Sequence, residues 1–149
     1  MHSEDPTLFL IPKHLFRQQM DAPREFPPVG FGEARVRRPG SDVTVVAWGN
    51  CIELAQAAAE RLAGQTEIEV IDLRSIQPWD RQAVVHSLEK TGRLVVIQED
   101  GRSCSVGQMI ISDVVSSSDI HIGYNPIYEY AALPDLQRVV DAIRTTLED

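Results

Sequence analysis

From residue 42 onward, short apolar runs alternate with segments in which apolar residues recur at the spacing of a helix. The first run, residues 43–48, is β-branched and apolar on both faces, as strands are when helices cover both sides of a sheet. Strands that alternate with helices of about a dozen residues are joined by right-handed crossovers and form a mostly parallel sheet. The alternation therefore predicts an α/β fold, a three-layer α/β/α sandwich.

The individual elements follow from the same pattern. Buried strands are predicted at residues 43–48, 68–73 and 94–98, and shorter strands at residues 35–38 and 120–122. Helices are predicted at residues 52–63, between Asp80 and Gly92, at residues 106–114 and at residues 134–147, with Gly64 and Gly92 ending the first two. Together these elements give a mostly parallel five-stranded sheet with one antiparallel edge strand.

The first 32 residues differ in composition from the rest of the chain. Residues 8–11 are a short apolar run closed by Pro12, and we expect them to form a strand. Residues 21–32 are rich in proline, with three prolines, and proline fixes φ and removes a hydrogen-bond donor. We therefore expect residues 1–20 to belong to a separate unit, residues 21–32 to be a linker and residues 33–149 to form the main domain.

The chain carries a formal charge of −8 at pH 7 and has a pI near 4.9. An acidic chain is a poor candidate for binding nucleic acid, since phosphate contacts need clustered lysine or arginine. The cluster of Arg35, Arg37 and Arg38 is interpreted as a strand with a solvated face. No apolar run approaches the ~20 residues of a membrane span, and the chain begins without signal-peptide features, so a cytoplasmic location is expected. Cys51 and Cys104 are too few for a disulfide framework or a structural zinc site.

Polar residues follow three of the predicted strands. In an open parallel sheet, ligands bind beyond the carboxyl ends of the strands, which here carry Asn50, Arg74 and Glu99. These three form a candidate small-molecule site, although neither G-x-G-x-x-G nor G-x-x-x-x-G-K-[ST] occurs in the sequence. Because their strands are expected to be neighbours, an ion pair between Arg74 and Glu99 is the simpler interpretation. The residues by themselves do not identify an active site.

Several stretches resemble one family. Residues 69–80 closely resemble the E-V-I-D-L-R-x-I-x-P-x-D signature of the transketolase C-terminal domain in E1 β chains of thiamine-diphosphate-dependent 2-oxo acid dehydrogenases. Residues 90–100 are similar to its K-T-G-R-x-x-x-x-x-E continuation, and Gly107 matches a glycine of the next helix. Residues 40–46 resemble the opening of the domain, and residues 5–13 resemble the last strand of the preceding pyrimidine-binding domain. The resemblance covers nearly the whole chain.

This resemblance implies a role in assembly. In the family, thiamine diphosphate with Mg²⁺ is held by other domains, and the catalytic histidine and glutamate lie upstream, so no catalytic, cofactor-binding or metal-binding residue is expected here. The domain joins the E1 α chain or domain and a second β chain, and it helps dock the E2 acyltransferase. The segment Pro78-Trp79-Asp80 favours the branched-chain type over the pyruvate type. The span 107–134 is about a dozen residues shorter than the pattern usually has.

Two further expectations complete the sequence-based interpretation. A domain taken from such an assembly is expected to form a two-fold dimer, with aromatic residues at the interface. The candidates are Phe26, Phe31, Tyr128 and Tyr130. Two other functions stay open: a freestanding small-molecule binding module that uses the strand ends, and the C-terminal domain of a transketolase or deoxyxylulose-phosphate synthase-type transferase.

Overall fold

The computed structural model describes residues 5–13, 30–101, 104–117 and 135–148. Its elements in chain order are β1 (Arg35–Arg38), β2 (Val43–Ala47), α1 (Cys51–Arg61), β3 (Ile68–Asp72), α2 (Arg81–Thr91), β4 (Leu94–Ile97), α3 (Val106–Ser117) and α4 (Leu136–Glu148). This order is the predicted alternation of strand and helix. None of the described helices is long and apolar enough to cross a bilayer.

The strands form a mixed sheet in the order β1-β3-β2-β4. β2 pairs in parallel with β3 on one side and with β4 on the other. β1 pairs antiparallel with β3, with Arg35 opposite Asp72 and a register irregularity between Val36 and Arg38. The mostly parallel sheet and its antiparallel edge strand are therefore confirmed. The described residues contain four strands, and the predicted fifth strand at residues 120–122 lies outside them.

Helices cover both faces of the sheet, which explains the apolar character of β2 on both sides. Val43 and Val45 face one core cluster, in which residues of α1 and α4 pack against the sheet. Val46 belongs to a second cluster that includes residues of α2 and α3. All five residues of β2 are buried. The predicted three layers are thus present, with β2 at the centre.

One polar network lies inside the second helix layer. Thr44 is fully buried, and its hydroxyl shares hydrogen bonds of 2.7 Å with the hydroxyls of Ser87 and Thr91 on α2. Ser87 in turn donates to Oε1 of Glu69, and Lys90 donates to Oε2 of the same carboxylate, each across 2.5 Å. Because each of these buried groups has a partner, burial of the polar atoms is compensated. The network ties α2 to β2 and β3.

The predicted strand at residues 8–11 does not form within this chain. In the described part, residues 5–13 contain no strand, and Leu8 is 84% exposed. A strand requires a neighbouring strand to satisfy its backbone groups, and the sheet of this domain does not supply one here. The segment nevertheless approaches the domain, since a Cβ built on Gly49 would lie 3.7 Å from Cγ of Pro12.

Candidate functional site

The carboxyl ends of the parallel strands meet at one edge of the sheet, where the sequence predicts a ligand site. Asn50 follows β2 and immediately precedes α1, and Glu99 follows β4. Since β2 and β4 are neighbours, these two residues come together, and the amide nitrogen of Asn50 donates to Oε2 of Glu99 across 3.0 Å. Two of the three candidate residues therefore form one polar cluster.

Arg74 is not part of that cluster. The expectation that Arg74 and Glu99 end neighbouring strands is wrong, because β2 stands between β3 and β4. The ion pairs of the described residues do not include one between Arg74 and Glu99. Arg74 is instead exposed, has a left-handed backbone with φ 60°, and acts electrostatically on Asp72.

Cys51 is the first residue of α1 and directly follows Asn50. Its side chain is buried. Burial, and then the negative charge of Glu99, raises the pKa of the Cys51 thiol to about 12. A thiol that stays protonated at neutral pH is a poor nucleophile and a poor metal ligand. Cys51 is therefore a packing residue of the core.

The side-chain oxygens of Asn50 and Glu99 make this cluster a hydrogen-bond acceptor. Oδ1 of Asn50 is buried and has no hydrogen-bond partner in the described part of the chain, and Glu99 adds a carboxylate beside it. The amino end of a helix attracts anions, but a carboxylate at the same place opposes them. This strand end therefore suits a group that donates hydrogen bonds better than it suits a phosphate. No group of three His, Cys, Asp or Glu side chains in the described ranges has the geometry of a metal site.

A second cluster, which the sequence analysis did not identify as a site, surrounds the end of β3. Asp72 is half-buried there, and burial raises the pKa of its carboxyl group. The positive charges of Arg37, Arg74 and Arg35 act in the opposite direction but do not cancel the effect of burial. The signal available in the sequence was the concentration of arginines at residues 35–38 in an otherwise acidic chain.

The loop before α3 is fixed by side-chain hydrogen bonds. Oγ of Ser105 accepts from the backbone N–H of Gln108, and Oε1 of Gln98 accepts from that of Gly107 across 2.8 Å. A Cβ at residue 107 would lie 2.6 Å from Oε1 of Gln98, so a larger residue here would displace the Gln98 side chain. The glycine that carries part of the resemblance thus serves the close approach of α3 to the end of β4.

One of the four interface candidates lies in the described part of the chain. Phe31 is 46% exposed, so it is accessible to a partner. Phe26, Tyr128 and Tyr130 lie outside the described residues, and their place at an interface stays a prediction.

Comparison with known proteins identifies the domain. The family described as "Transketolase, C-terminal domain" matches residues 32–134, well over half of the chain. The chain belongs to the transketolase C-terminal domain family. This membership agrees with the signature at residues 69–80, with the order of the strands and helices, and with the antiparallel edge strand.

Curated proteins similar to the chain include pyruvate dehydrogenase E1 component subunits β. The one from Rickettsia conorii is 32% identical over 159 residues, which is 97% of this chain and 49% of the relative. The one from Staphylococcus aureus strain Mu50 is 31% identical over 163 residues, which is 99% of this chain and 50% of the relative. The chain spans about half the length of the curated relatives it matches. The branched-chain preference suggested by Pro78-Trp79-Asp80 is not confirmed by these relatives.

Solved structures show the same transketolase C-terminal fold. A split-gene transketolase, described as an inactive β4 tetramer, superposes with a TM-score of 0.69 at 26% identity and covers 85% of this chain and 46% of that one. A 2-oxoglutarate:ferredoxin oxidoreductase from Magnetococcus marinus gives a TM-score of 0.58 at 14% identity, over 77% of this chain and 19% of that one. The second likeness shows the fold alone.

The family signature can be assigned to contacts in this transketolase C-terminal domain. Glu69, at its start, is the carboxylate of the buried network on α2. Asp80, at its end, accepts from the backbone N–H of Ala83 through Oδ1 and from that of Ala34 through Oδ2. The Gln77–Pro78 peptide bond between them is cis. In this chain the two carboxylates of the signature thus hold α2 in place.

Proposed function

We propose that this chain is the C-terminal assembly domain of an E1 β chain, in an enzyme that oxidatively decarboxylates a 2-oxo acid and transfers the acyl group to the lipoyl group of E2. The observation that carries the proposal is the share of each chain that the alignment covers. Nearly the whole chain aligns with pyruvate dehydrogenase E1 β subunits, yet it spans only about half of their length. By itself the domain is not catalytic.

The proposed division of the chain assigns residues 1–20 to the tail of the pyrimidine-binding domain, 21–32 to the linker and 33–149 to the transketolase C-terminal-like domain. The exposure of Leu8, Phe9 and Leu10 supports the first assignment, since each is more than two thirds exposed. A segment without secondary structure of its own and with exposed apolar side chains suits a strand whose sheet belongs to another domain.

Thiamine diphosphate with Mg²⁺ is proposed for the parent enzyme and not for this chain. When bound, the cofactor supplies the carbon nucleophile and the electron sink for decarboxylation, while the protein holds and orients it. The described residues do not suit its diphosphate, because Glu99 places a carboxylate beside the amino end of α1. We therefore assign the cofactor to domains that precede this one or belong to the E1 α chain.

The proposed partners are the E1 α chain or domain, a second β chain and the E2 acyltransferase. The net charge of −8 suits a basic docking surface on E2, since opposite charges accelerate association. Pyruvate is the proposed 2-oxo acid on the names of the relatives, and a branched-chain 2-oxo acid is the alternative on the Pro78-Trp79-Asp80 segment. The proposed location is the cytoplasm.

The test combines binding and assembly. The chain is titrated with thiamine diphosphate and Mg²⁺ by calorimetry, and it is mixed with an E1 α chain and the amino-terminal half of an E1 β chain for size-exclusion chromatography. We expect no saturable cofactor binding by the chain alone and co-elution in the mixture. Phe9→Asp is expected to weaken co-elution, while Glu60→Gln on exposed α1 surface serves as the matched control. A stoichiometric cofactor site, or separate elution of all three chains, would contradict the proposal.

One observation favours a second candidate, a freestanding binding module. Oδ1 of Asn50 is a buried acceptor without a hydrogen-bond partner in the described part, and such a group is stabilised by a donor. A ligand of this module would carry an ammonium or amide N–H. Saturable binding of a primary ammonium compound that is lost in Asn50→Ala would favour this candidate over the assembly domain. The name of the split-gene transketolase likewise keeps a transferase of that type as an alternative parent enzyme.

A further inference from the structure

β1 is the least covered strand of the described sheet. It lies at the end of the strand order, and β3 is its hydrogen-bonded neighbour among the described strands. Arg35, Val36 and Arg37 are exposed, and Val36 is 51% exposed although it is apolar. Among the described residues no strand pairs with the outer backbone edge of β1, so its N–H and C=O groups suit the addition of another strand.

The side chains at this edge are positively charged in an acidic protein. Three arginines lie on β1, and Arg74 follows its neighbour β3. The ion pairs among the described residues involve none of these four arginines. Asp72 is the carboxylate on which three of them act, and its single negative charge does not balance four arginines. The edge keeps an excess of positive charge against a total of −8.

The chemistry of the edge selects among possible occupants. A second copy of β1 would place arginine opposite arginine, and like charges on facing strands are destabilising. Nucleic acid would contact the arginines only along one short strand, and its phosphates would be repelled by the acidic rest of the surface. A small anion would find no enclosed pocket, because Arg35, Arg37 and Arg74 are all exposed. An extended acidic polypeptide satisfies both the backbone edge and the guanidinium groups.

We propose that β1 is a docking edge for an extended acidic segment of a partner polypeptide, which adds to the sheet as a strand beside β1. This inference goes beyond the assembly role and does not rest on it, since the edge and its charges belong to this chain whatever its parent enzyme is.

The alternation of side chains along β1 defines the sequence that fits. Successive residues of a strand point to opposite faces, so Arg35 lies on one face and Val36 on the other, and Arg37 follows at the register irregularity. A facing strand would place carboxylates beside the two arginines and apolar residues beside Val36. The partner segment is therefore expected to alternate acidic and apolar residues over about five positions.

The test uses fluorescence anisotropy of labelled peptides with the full chain. A peptide that alternates glutamate with valine is compared with one that alternates lysine with valine, and with one that alternates glutamate with proline. The last keeps the charge but removes backbone N–H groups needed for a strand. Of the three peptides, we expect only the glutamate–valine peptide to bind. Its affinity should fall as the salt concentration rises. Arg35→Ser/Arg37→Ser should weaken binding at least tenfold.

Arg61→Ser/Arg144→Ser removes the same charge from exposed helix positions and should leave peptide binding unchanged, with circular dichroism checking that each variant is folded. Equal binding of the glutamate–proline peptide would overturn strand addition. Binding that Arg35→Ser/Arg37→Ser leaves intact would overturn the site. Self-association of Arg35→Ser/Arg37→Ser without any peptide binding by the native chain would mean that the arginines only guard the edge, and it would overturn the proposal as well.

Discussion

At the scale of single residues, the carboxylate of Glu69 is buried between β3 and α2. Burial by itself would raise its pKa, but hydrogen bonds from Lys90, Ser87 and the N–H of Gly40 outweigh burial, and the pKa of Glu69 is lowered. A carboxyl group whose pKa is lowered by folding stabilises the folded state above its unfolded pKa. That stabilisation is lost as the pH falls through the folded pKa.

Glu69→Gln is therefore expected to lower the free energy of unfolding at pH 7 by about 1–3 kcal/mol, the usual range for a buried hydrogen bond to a charged group. The difference from the native chain should shrink as the pH falls below 4.5, the ordinary value for glutamate. Urea unfolding at a series of pH values measures both effects. Glu67→Gln, next to the same strand but exposed, is the matched control. A difference that does not change with pH would contradict the assigned role of Glu69.

Gly40 and Gly101 make a second comparison at this scale. A Cβ on Gly40 would collide with the backbone of Ile68 and Glu69, whereas a Cβ on Gly101 meets nothing within 4 Å. We expect Gly40→Ala to destabilise the fold by about 2–3 kcal/mol, as overpacking against rigid backbone does. Gly101→Ala should change stability by less than about 1 kcal/mol. Thermal unfolding of the two variants measures the difference, and equal effects would contradict the close packing at Gly40.

The same residues show what a sequence permits one to predict. The signature placed Glu69 and Asp80 in a recognisable motif, but it did not say that the first residue belongs to a buried network and the last residue caps α2. Such roles depend on which side chains α2 brings against the sheet. They follow from packing between elements distant in sequence, which the spacing of residues within one element does not encode.

At the scale of elements, Asp80 and Asp135 begin α2 and α4 in related ways. Each carboxylate accepts from a backbone N–H three residues on, at Ala83 and at Arg138. Asp80 also accepts from the N–H of Ala34 across 2.9 Å, which ties the chain before β1 to α2. Both side chains thus cap a helix, but only the one at α2 has this tie to Ala34.

Asp135→Ala should cost about 1 kcal/mol, as loss of a helix cap typically does, and its exposed ion pair with Arg138 adds little. Asp80→Ala should cost about 1 kcal/mol more, because the N–H of Ala34 loses its partner as well. Urea unfolding compares the two variants under identical conditions. A smaller loss for Asp80→Ala than for Asp135→Ala would contradict the linking role of Asp80.

The order of the strands explains why the elements were predictable and the ion pair was not. Periodicity fixed four strands and four helices close to their observed bounds. In chain order β3 precedes β4, so Arg74 and Glu99 were placed on neighbouring strands. In the sheet β2 separates them, because the chain reverses direction across the sheet after β3. The spacing of apolar residues within a segment predicts a strand. Which strands become its neighbours in the sheet depends on how the connecting helices pack around it.

At the scale of the whole molecule, we expect self-association through surface that another subunit would cover in an assembly. Closed two-fold symmetry is the commonest way for identical chains to bury such surface, and aromatic residues are enriched at the centre of interfaces. Phe31 precedes the first residue of β1 by four positions in the chain and is 46% exposed. A dimer formed through the region of Phe31 does not require two copies of β1 to pair, a pairing that the repulsion between their arginines would oppose.

We therefore expect light scattering at ~100 μM to give about twice the chain mass of 16.6 kDa, since that concentration populates even a micromolar dimer. Phe31→Ser should shift the mass toward the monomer, because the interface loses an aromatic side chain from its apolar centre. Val115→Ser on α3 is the matched control, since Val115 is 48% exposed and is not among the interface candidates. A monomeric mass for the native chain would show that dimerisation requires the rest of the assembly. Equal shifts for the two variants would remove Phe31 from the interface, because general loss of exposed apolar surface would then account for both.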